Sequence, residues 1–323
     1  MSQATALRKA IYERELPHAF FEQQMDELHL RIQDAMEGNP PSFDMVVGPS
    51  RVGKSMLADA LVRQYPECKK DGLRQVPVLK VRTPDAASPR AMPRSVLIAL
   101  NAPVPASMAS TALMFERMAR QLKMAGTRVI LFDEASQLVD SGTRMPPRAA
   151  GDWFKRILDA LEISVVVFGI PRLELLLKSN EQLRYRSGAV IRFNPYSWES
   201  VAERNQFASS TKAYVKMFEE AGSHFLFDFD SLVRNTYFLS GGLIGVVTKF
   251  MSRLAFDIKT REDRDITFED CAAAAARIET TCSADYPAFE NAKVEDVKLQ
   301  AAHRFVLDEA SVIYRKTRRE TQK

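Results

Sequence analysis

Gly48-Pro49-Ser50-Arg51-Val52-Gly53-Lys54-Ser55 is a complete G-x-x-x-x-G-K-[ST] phosphate loop, and its reading decides the fold. It follows the apolar run Phe43–Val47 and leads into Met56-Leu57-Ala58-Asp59-Ala60-Leu61-Val62, a good helix former. Strand, glycine-bearing loop and helix in that order are the setting the motif needs. Gly48 and Gly53 let the backbone bend around a phosphate chain, so that successive N–H groups point inward. The N-terminus of the helix adds its partial positive charge to that nest. Lys54 then reaches the β- and γ-phosphates, and the Ser55 hydroxyl ligates Mg²⁺. Residues 48–56 are therefore expected to bind ATP.

Outward from this loop, apolar strands alternate with helices. Val76–Val81 reads as a strand, 107–125 as a helix, Val129–Asp133 as a strand, 151–162 as a helix and Ser164–Gly169 as a strand. A further strand is expected at Val190–Phe193. Near-continuous apolar strands separated by helices predict an α/β fold with a parallel sheet covered on both faces. In such a sheet the acid ending a strand faces the phosphate loop. Asp133 is then placed to hold the Mg²⁺ shell, and Glu134 to orient and deprotonate the attacking water.

Beyond about residue 196 the strand signals fade. Helices are expected at 199–221, 228–239, 243–257, 268–280 (with Thr267 and Asp270 as its cap) and 294–316. Residues 3–37 are helical in pattern with a break at Pro17, and form either a cover for the core or an arm that packs on a neighbouring subunit. The expected division is an N-terminal arm (1–37), an α/β nucleotide-binding domain (38–195), an all-α lid (196–258) and a helical C-terminal extension (259–323).

With 46% hydrophobic and 27% charged residues among 323, the chain has ample core material. No run approaches the roughly 20 apolar residues of a membrane span, so no membrane partner is expected. Residues 1–15 lack the apolar centre of a signal peptide. Cys68, Cys271 and Cys282 include no C-x-x-C pair, and His18, His29, His224 and His303 are scattered. A cytoplasmic protein without a zinc or disulfide framework is expected. The net charge of +4 is unevenly spread. Lys69, Lys70, Arg74, Lys80, Arg82, Arg90 and Arg94 crowd one stretch, Arg144 and Arg148 another, and Arg315, Lys316, Arg318, Arg319 and Lys323 the tail.

The order of phosphate loop, Asp-Glu strand, further apolar strand, Arg-bearing segment and helical lid resembles the AAA+ ATPases. Within that superfamily, the loop at 48–55, Leu131-Phe132-Asp133-Glu134-Ala135-Ser136-Gln137-Leu138, Val167-Phe168-Gly169-Ile170-Pro171 and Ser240-Gly241-Gly242-Leu243-Ile244-Gly245 look like the TniB and TnsC group. The likeness covers roughly residues 15–258. It implies a Mg²⁺-dependent ATPase that regulates DNA transposition: it oligomerises with ATP as a ring or filament on duplex DNA, marks the target, and recruits a transposase with a target-selector protein; the departures given below predict that hydrolysis is slow. It also implies an arginine finger, acting on the neighbouring subunit's nucleotide, at Arg184 or Arg186, with Arg186 nearer the family position. Arg82, Arg90, Arg94, Arg144 and Arg148 are the implied DNA-backbone contacts. Two departures stand out. Ile170 occupies a position where the group carries a polar sensor of the γ-phosphate, and Gly242–Gly245 lacks the lid arginine of the wider superfamily. The alternatives are an ATPase of helicase loading or replication initiation, and a secretion-type AAA+ ATPase.

Overall fold

The computed structural model describes residues 3–13, 19–105, 110–140, 144–258, 265–278 and 287–320, with side chains described at 6–11, 21–105, 110–140, 144–258, 265–278 and 287–309. The expected break at Pro17, the ends of the helices expected at 107–125 and 268–280, and the side chains of the basic tail lie outside these. Helices α1 (Gln3–Glu13) and α2 (Ala19–Met36) come first. Then follow β1 (Phe43–Val47), α3 (Lys54–Gln64), β2 (Cys68–Lys70), β3 (Leu73–Gln75), β4 (Val78–Arg82), α4 (Ala91–Ala99) and α5 (Thr111–Met124). The α/β part continues with β5 (Val129–Asp133), α6 (Pro147–Leu161), β6 (Ser164–Gly169), the short α7 (Leu175–Ser179) and α8 (Glu181–Arg186), and β7 (Ile191–Arg192). The remainder is α9 (Val201–Glu220), α10 (Phe229–Ser240), α11 (Ile244–Asp257), α12 (Phe268–Ala276) and α13 (Asp296–Glu320).

The chain forms two compact units. The α/β unit takes residues 23–48, 54–193 and 311–323; the helical unit takes 1–22, 49–53 and 194–310. In the α/β unit a five-stranded, all-parallel sheet runs in the order β4-β5-β6-β1-β7. β1, β5 and β6 are buried at every position, as strands sandwiched between helices must be, and this is why they read as apolar runs without alternation. α6 shows the opposite pattern. Its Ala150, Trp153, Phe154, Ile157 and Leu158 recur at three- and four-residue steps and bury one face. The ring of Phe154 meets Phe43 and Phe132 at 5.4 Å, tying α6 to β1 and β5. α6 starts at Pro147, earlier than its apolar pattern implies, because proline is pre-set for the first helical position.

The basic stretch 69–94 is a β2–β3 hairpin, then β4, which overlaps the strand expected at Val76–Val81, and then the first turn of α4. Pro93 is tolerated in that first turn, where no intrahelical N–H bond is lost.

In the helical unit, Tyr237 donates its hydroxyl to the Tyr196 carbonyl at 2.7 Å, and Tyr214 bonds Thr248 at 2.6 Å. Thr267 and Asp270 form a reciprocal capping box on α12. Gly242, at φ 89°, lies where an added Cβ would come within 2.2 Å of the Tyr196 carbonyl, so that turn requires glycine. Among the described residues no single helix is long and apolar enough to cross a membrane. α10 and α11 pass that test only as a pair bent by 117°, and their apolar side chains are mostly buried.

Candidate active site

The site grows from the carboxyl ends of β1 and β5. After Val47 the chain turns through the phosphate loop, with Arg51 at φ 66° and Gly53 at φ 112°. The Gly48 N–H donates to the Gly169 carbonyl at the end of β6 (3.1 Å), fixing the start of the loop to the sheet. Pro49 and Val52 are buried, Ser50 and Arg51 face solvent, and Met56 is half-buried in the first turn of α3. Lys54 and Ser55 open that helix, where free backbone N–H groups and the helix dipole favour anions. The Lys54 ammonium donates to the Gly48 carbonyl at 2.8 Å. Desolvation pushes its pKa down to about 8, against the pull of the Asp133 carboxylate.

Asp133 ends β5 almost fully buried, and its Oδ1 accepts the Glu134 N–H at 2.9 Å. Lys80, on β4, brings the two motifs together. Its ammonium lies 3.3 Å from Asp133 Oδ2, 3.3 Å from the Ser55 carbonyl and 2.7 Å from Asp59 Oδ1. The donors Ser55 and Asp133 are hard oxygens, the type Mg²⁺ prefers. Among the described residues no three His, Cys, Asp or Glu side chains converge on a metal position. The two hard-oxygen donors fit Mg²⁺ whose remaining positions phosphate and water oxygens would fill.

Glu134 has left-handed backbone geometry (φ 55°, ψ 31°), uncommon for a residue with a side chain. Its carboxylate is held by Arg82 at 2.8 Å. Arg82, expected on the DNA surface, thus points its guanidinium at the candidate base. Lys80 and Arg82 sit two apart on β4 and so share one face of the strand. Neither role was read from the sequence, although two cations alternating with the buried Leu79 and Val81 in a strand were a usable signal.

The two departures have structural counterparts. At the first, the Ile170 N–H donates to the Ser136 hydroxyl at 2.7 Å, and a Cβ on Gly169 would come within 2.5 Å of that oxygen. Ser136 thereby pins the turn after Asp133-Glu134 to the end of β6. At the second, Gly245 donates its N–H to the Arg51 carbonyl at 3.0 Å, both within the helical unit, and an added Cβ would sit 2.5 Å from that oxygen. There is no room for a side chain at 245.

Arg184 and Arg186 lie on α8 at the other end of the sheet, where Ser187 bridges to Phe43, the first residue of β1. Arg186 pairs with Asp159 at 3.1 Å, while Arg184 is 3.9 Å from Glu181 and faces the exposed Tyr185 ring. Of the remaining arginines, Arg90 and Arg94 flank the start of α4 one turn apart. Arg144 joins them because its N–H donates to the Ala87 carbonyl at 3.0 Å, and Arg148 follows in the first turn of α6. All four are exposed, and none pairs with a carboxylate among the described residues.

The fold is that of known AAA+ proteins. The Aeropyrum pernix ORC1 protein, solved in complex with DNA, superposes with a TM-score of 0.62 at 16% identity over 84% of this chain and 69% of that one. Cdc6p from Pyrobaculum aerophilum gives 0.59 at 16% identity over 81% and 67%. The Aeropyrum pernix ORC2 protein, solved as ADPNP–ADP complexes, gives 0.61 at 12% identity over 84% and 73%. At such identities the likeness establishes the α/β core with its following helices, and nothing finer. No curated protein matches the chain in sequence. The family model described as bacterial TniB protein matches residues 11–195, which carry the phosphate loop, the Asp-Glu strand and the α8 arginines. This chain belongs to the TniB family.

Proposed function

We propose that this chain is a Mg²⁺-dependent AAA+ ATPase that uses bound ATP to assemble on duplex DNA. The observation that carries the reading is the meeting of Ser55 and Asp133 at the Lys80 ammonium, with Lys54 beside them. The nucleotide and its metal supply the transferable phosphoryl group and its charge neutralisation. Lys54 leaves the Gly48 carbonyl for the β- and γ-phosphates, while Ser55 and Asp133 would hold Mg²⁺. Glu134 accepts the proton of the attacking water once Arg82 releases it. The ion pair with Arg82 must open before the Glu134 carboxylate can meet the water, which supports a slow switch in preference to a motor. Arg186 serves the nucleotide of an adjacent subunit, and Arg90, Arg94, Arg144 and Arg148 track DNA phosphates.

Two finer readings share this chemistry. The likeness to origin-recognition and Cdc6 proteins favours helicase loading or replication initiation. Membership of the TniB family supports a regulator of DNA transposition, with a transposase and a target selector as partners. Duplex binding measured with ATP and with ADP over a salt titration tests the common reading. Tight binding with ATP and a steep fall with salt are expected; equal binding with ADP would sink it. Stimulation of strand transfer by a transposase, against delivery of a replicative helicase to a fork, separates the finer readings.

A further inference from the structure

The helical unit holds a second cationic pocket that uses no residue of the phosphate loop. A cleft of about 220 Å³ opens between α1, α11 and the end of α12, lined by Arg8, Lys249, Ser252, Arg253, Phe256 and Arg277. Its charge is one-sided. The carboxylate that pairs with these cations is Asp257, which binds Arg253 through two hydrogen-bonding contacts (3.0 and 2.8 Å) and reaches Arg277 at 3.3 Å. Among the described residues, four cations against one anion leave a net charge of about +3 around the cleft. Lys249 has no hydrogen-bond or ion-pair partner among the described residues. Arg8 donates to the Ser252 hydroxyl at 3.4 Å, with no carboxylate opposite it among the described residues.

The guanidiniums are also oriented. Arg8 lies 5.3 Å and Arg253 5.2 Å from the centre of the half-exposed Phe256 ring, within cation–π range. Holding like charges together costs free energy unless an anion joins them, and a planar guanidinium fork matches phosphate oxygens two at a time. Water takes about 30 Å³ per molecule, so the cleft has room for a phosphate group with part of its sugar. A carboxylate ligand would use fewer of the donors that converge here.

We infer that this pocket grips a backbone phosphate of the bound DNA strand, as an anchor separate from the exposed arginines of the α/β unit. The inference rests on the DNA-acting reading above and gives the helical unit a share in it. Lys249 is the residue to change, because its removal leaves no buried partner unsatisfied. The test compares wild type, Lys249→Glu and the milder Lys249→Ala in ATP-dependent duplex binding over a salt titration. Melting temperature and ATP affinity are followed alongside and are expected to stay at wild-type values.

Each lost phosphate contact should make the slope of log affinity against log salt shallower by about 0.9 per protomer, equally for all DNA sequences. Wild-type affinity and slope in both variants would overturn the inference and leave the DNA-acting reading standing. Absence of duplex binding by the wild type would remove that reading and this one together. Tripolyphosphate-induced thermal stabilisation, measured in a Lys54→Ala background, identifies the remaining alternative. A Lys249-dependent shift without DNA binding makes free polyphosphate the ligand and overturns the DNA assignment.

Discussion

At the carboxyl end of the sheet, Lys80 pairs with Asp133 and Arg82 with Glu134, while Lys54 and Asp133 lie shielded from water beside them. At the amino end, Arg184 and Arg186 lie at the surface, Arg184 beside Glu181 and the Tyr185 ring, Arg186 beside Asp159 and the Gln182 carbonyl. The five residues of β1 separate these ends by about 16 Å. At that distance Arg186 does not reach the phosphate loop of its own chain, so as a finger it would act on the nucleotide of another subunit. The difference teaches where one chain's proposed chemistry stops: the groups proposed to bind and prime a nucleotide gather at one end, and the proposed finger sits at the other.

The comparison breaks first at Lys54. Lys54→Ala should weaken ATP binding at least ~100-fold by calorimetry, since two phosphates lose their charge-assisted partner; unchanged affinity would remove the nucleotide site from this end. Glu134→Gln should keep ATP affinity and lower turnover by about 10² to 10⁴, the range for loss of a general base. Parental turnover in that variant would assign the base elsewhere. Arg186→Ala should cost the assembled protein about 10² in turnover, as loss of one transition-state donor does, with no effect on the nucleotide affinity of dilute protomers. A loss of affinity in the dilute state would place Arg186 in its own chain's site.

Acidity sharpens the picture of the loop end. Without nucleotide, Lys54 is lowered by desolvation to about 8, and phosphates restore its charge, so the complex holds more protons than the free protein above that pH. ATP affinity should therefore fall about tenfold between pH 7 and pH 9, while Lys54→Arg, charged throughout, should lose this dependence. The smallest effect belongs to Arg82. Its pair with Glu134 is largely exposed, worth about 0.2–1 kcal/mol. Arg82→Ala should raise basal turnover by about twofold to fivefold, and a fall would make Arg82 a helper of catalysis instead of a restraint.

The sequence made the loop end legible because its motifs are local: Gly48–Ser55 and Asp133-Glu134 each carry their chemistry within a few residues. Buried strands β1, β5 and β6 were legible for the same reason, as unbroken apolar runs. What pairs across strands was not. Arg82 meets Glu134 only because β4 lies beside β5 in one register, Arg82 opposite Asp133. Around the strand expected at Val76–Val81, the basic residues of 69–94 gave no sign of the β2–β3 hairpin or of the start of α4. Gly245 looked like a missing arginine, and only the approach of the Arg51 carbonyl shows that a side chain cannot fit there. Ser136 carries no motif at all; its contact with Ile170 depends on the turns after β5 and β6 meeting.

The claim that the catalytic site is shared between subunits is tested most directly by mixing two inactive variants. Lys54→Ala keeps Arg186 and lacks a nucleotide site; Arg186→Ala keeps the site and lacks the finger. Neither alone should hydrolyse ATP at an appreciable rate on duplex DNA. Mixed in equal amounts, they should recover about a quarter of wild-type turnover, from interfaces where an intact loop faces an intact arginine. Turnover no greater than the sum of the separate variants, with both present in the same assemblies, would contradict the account.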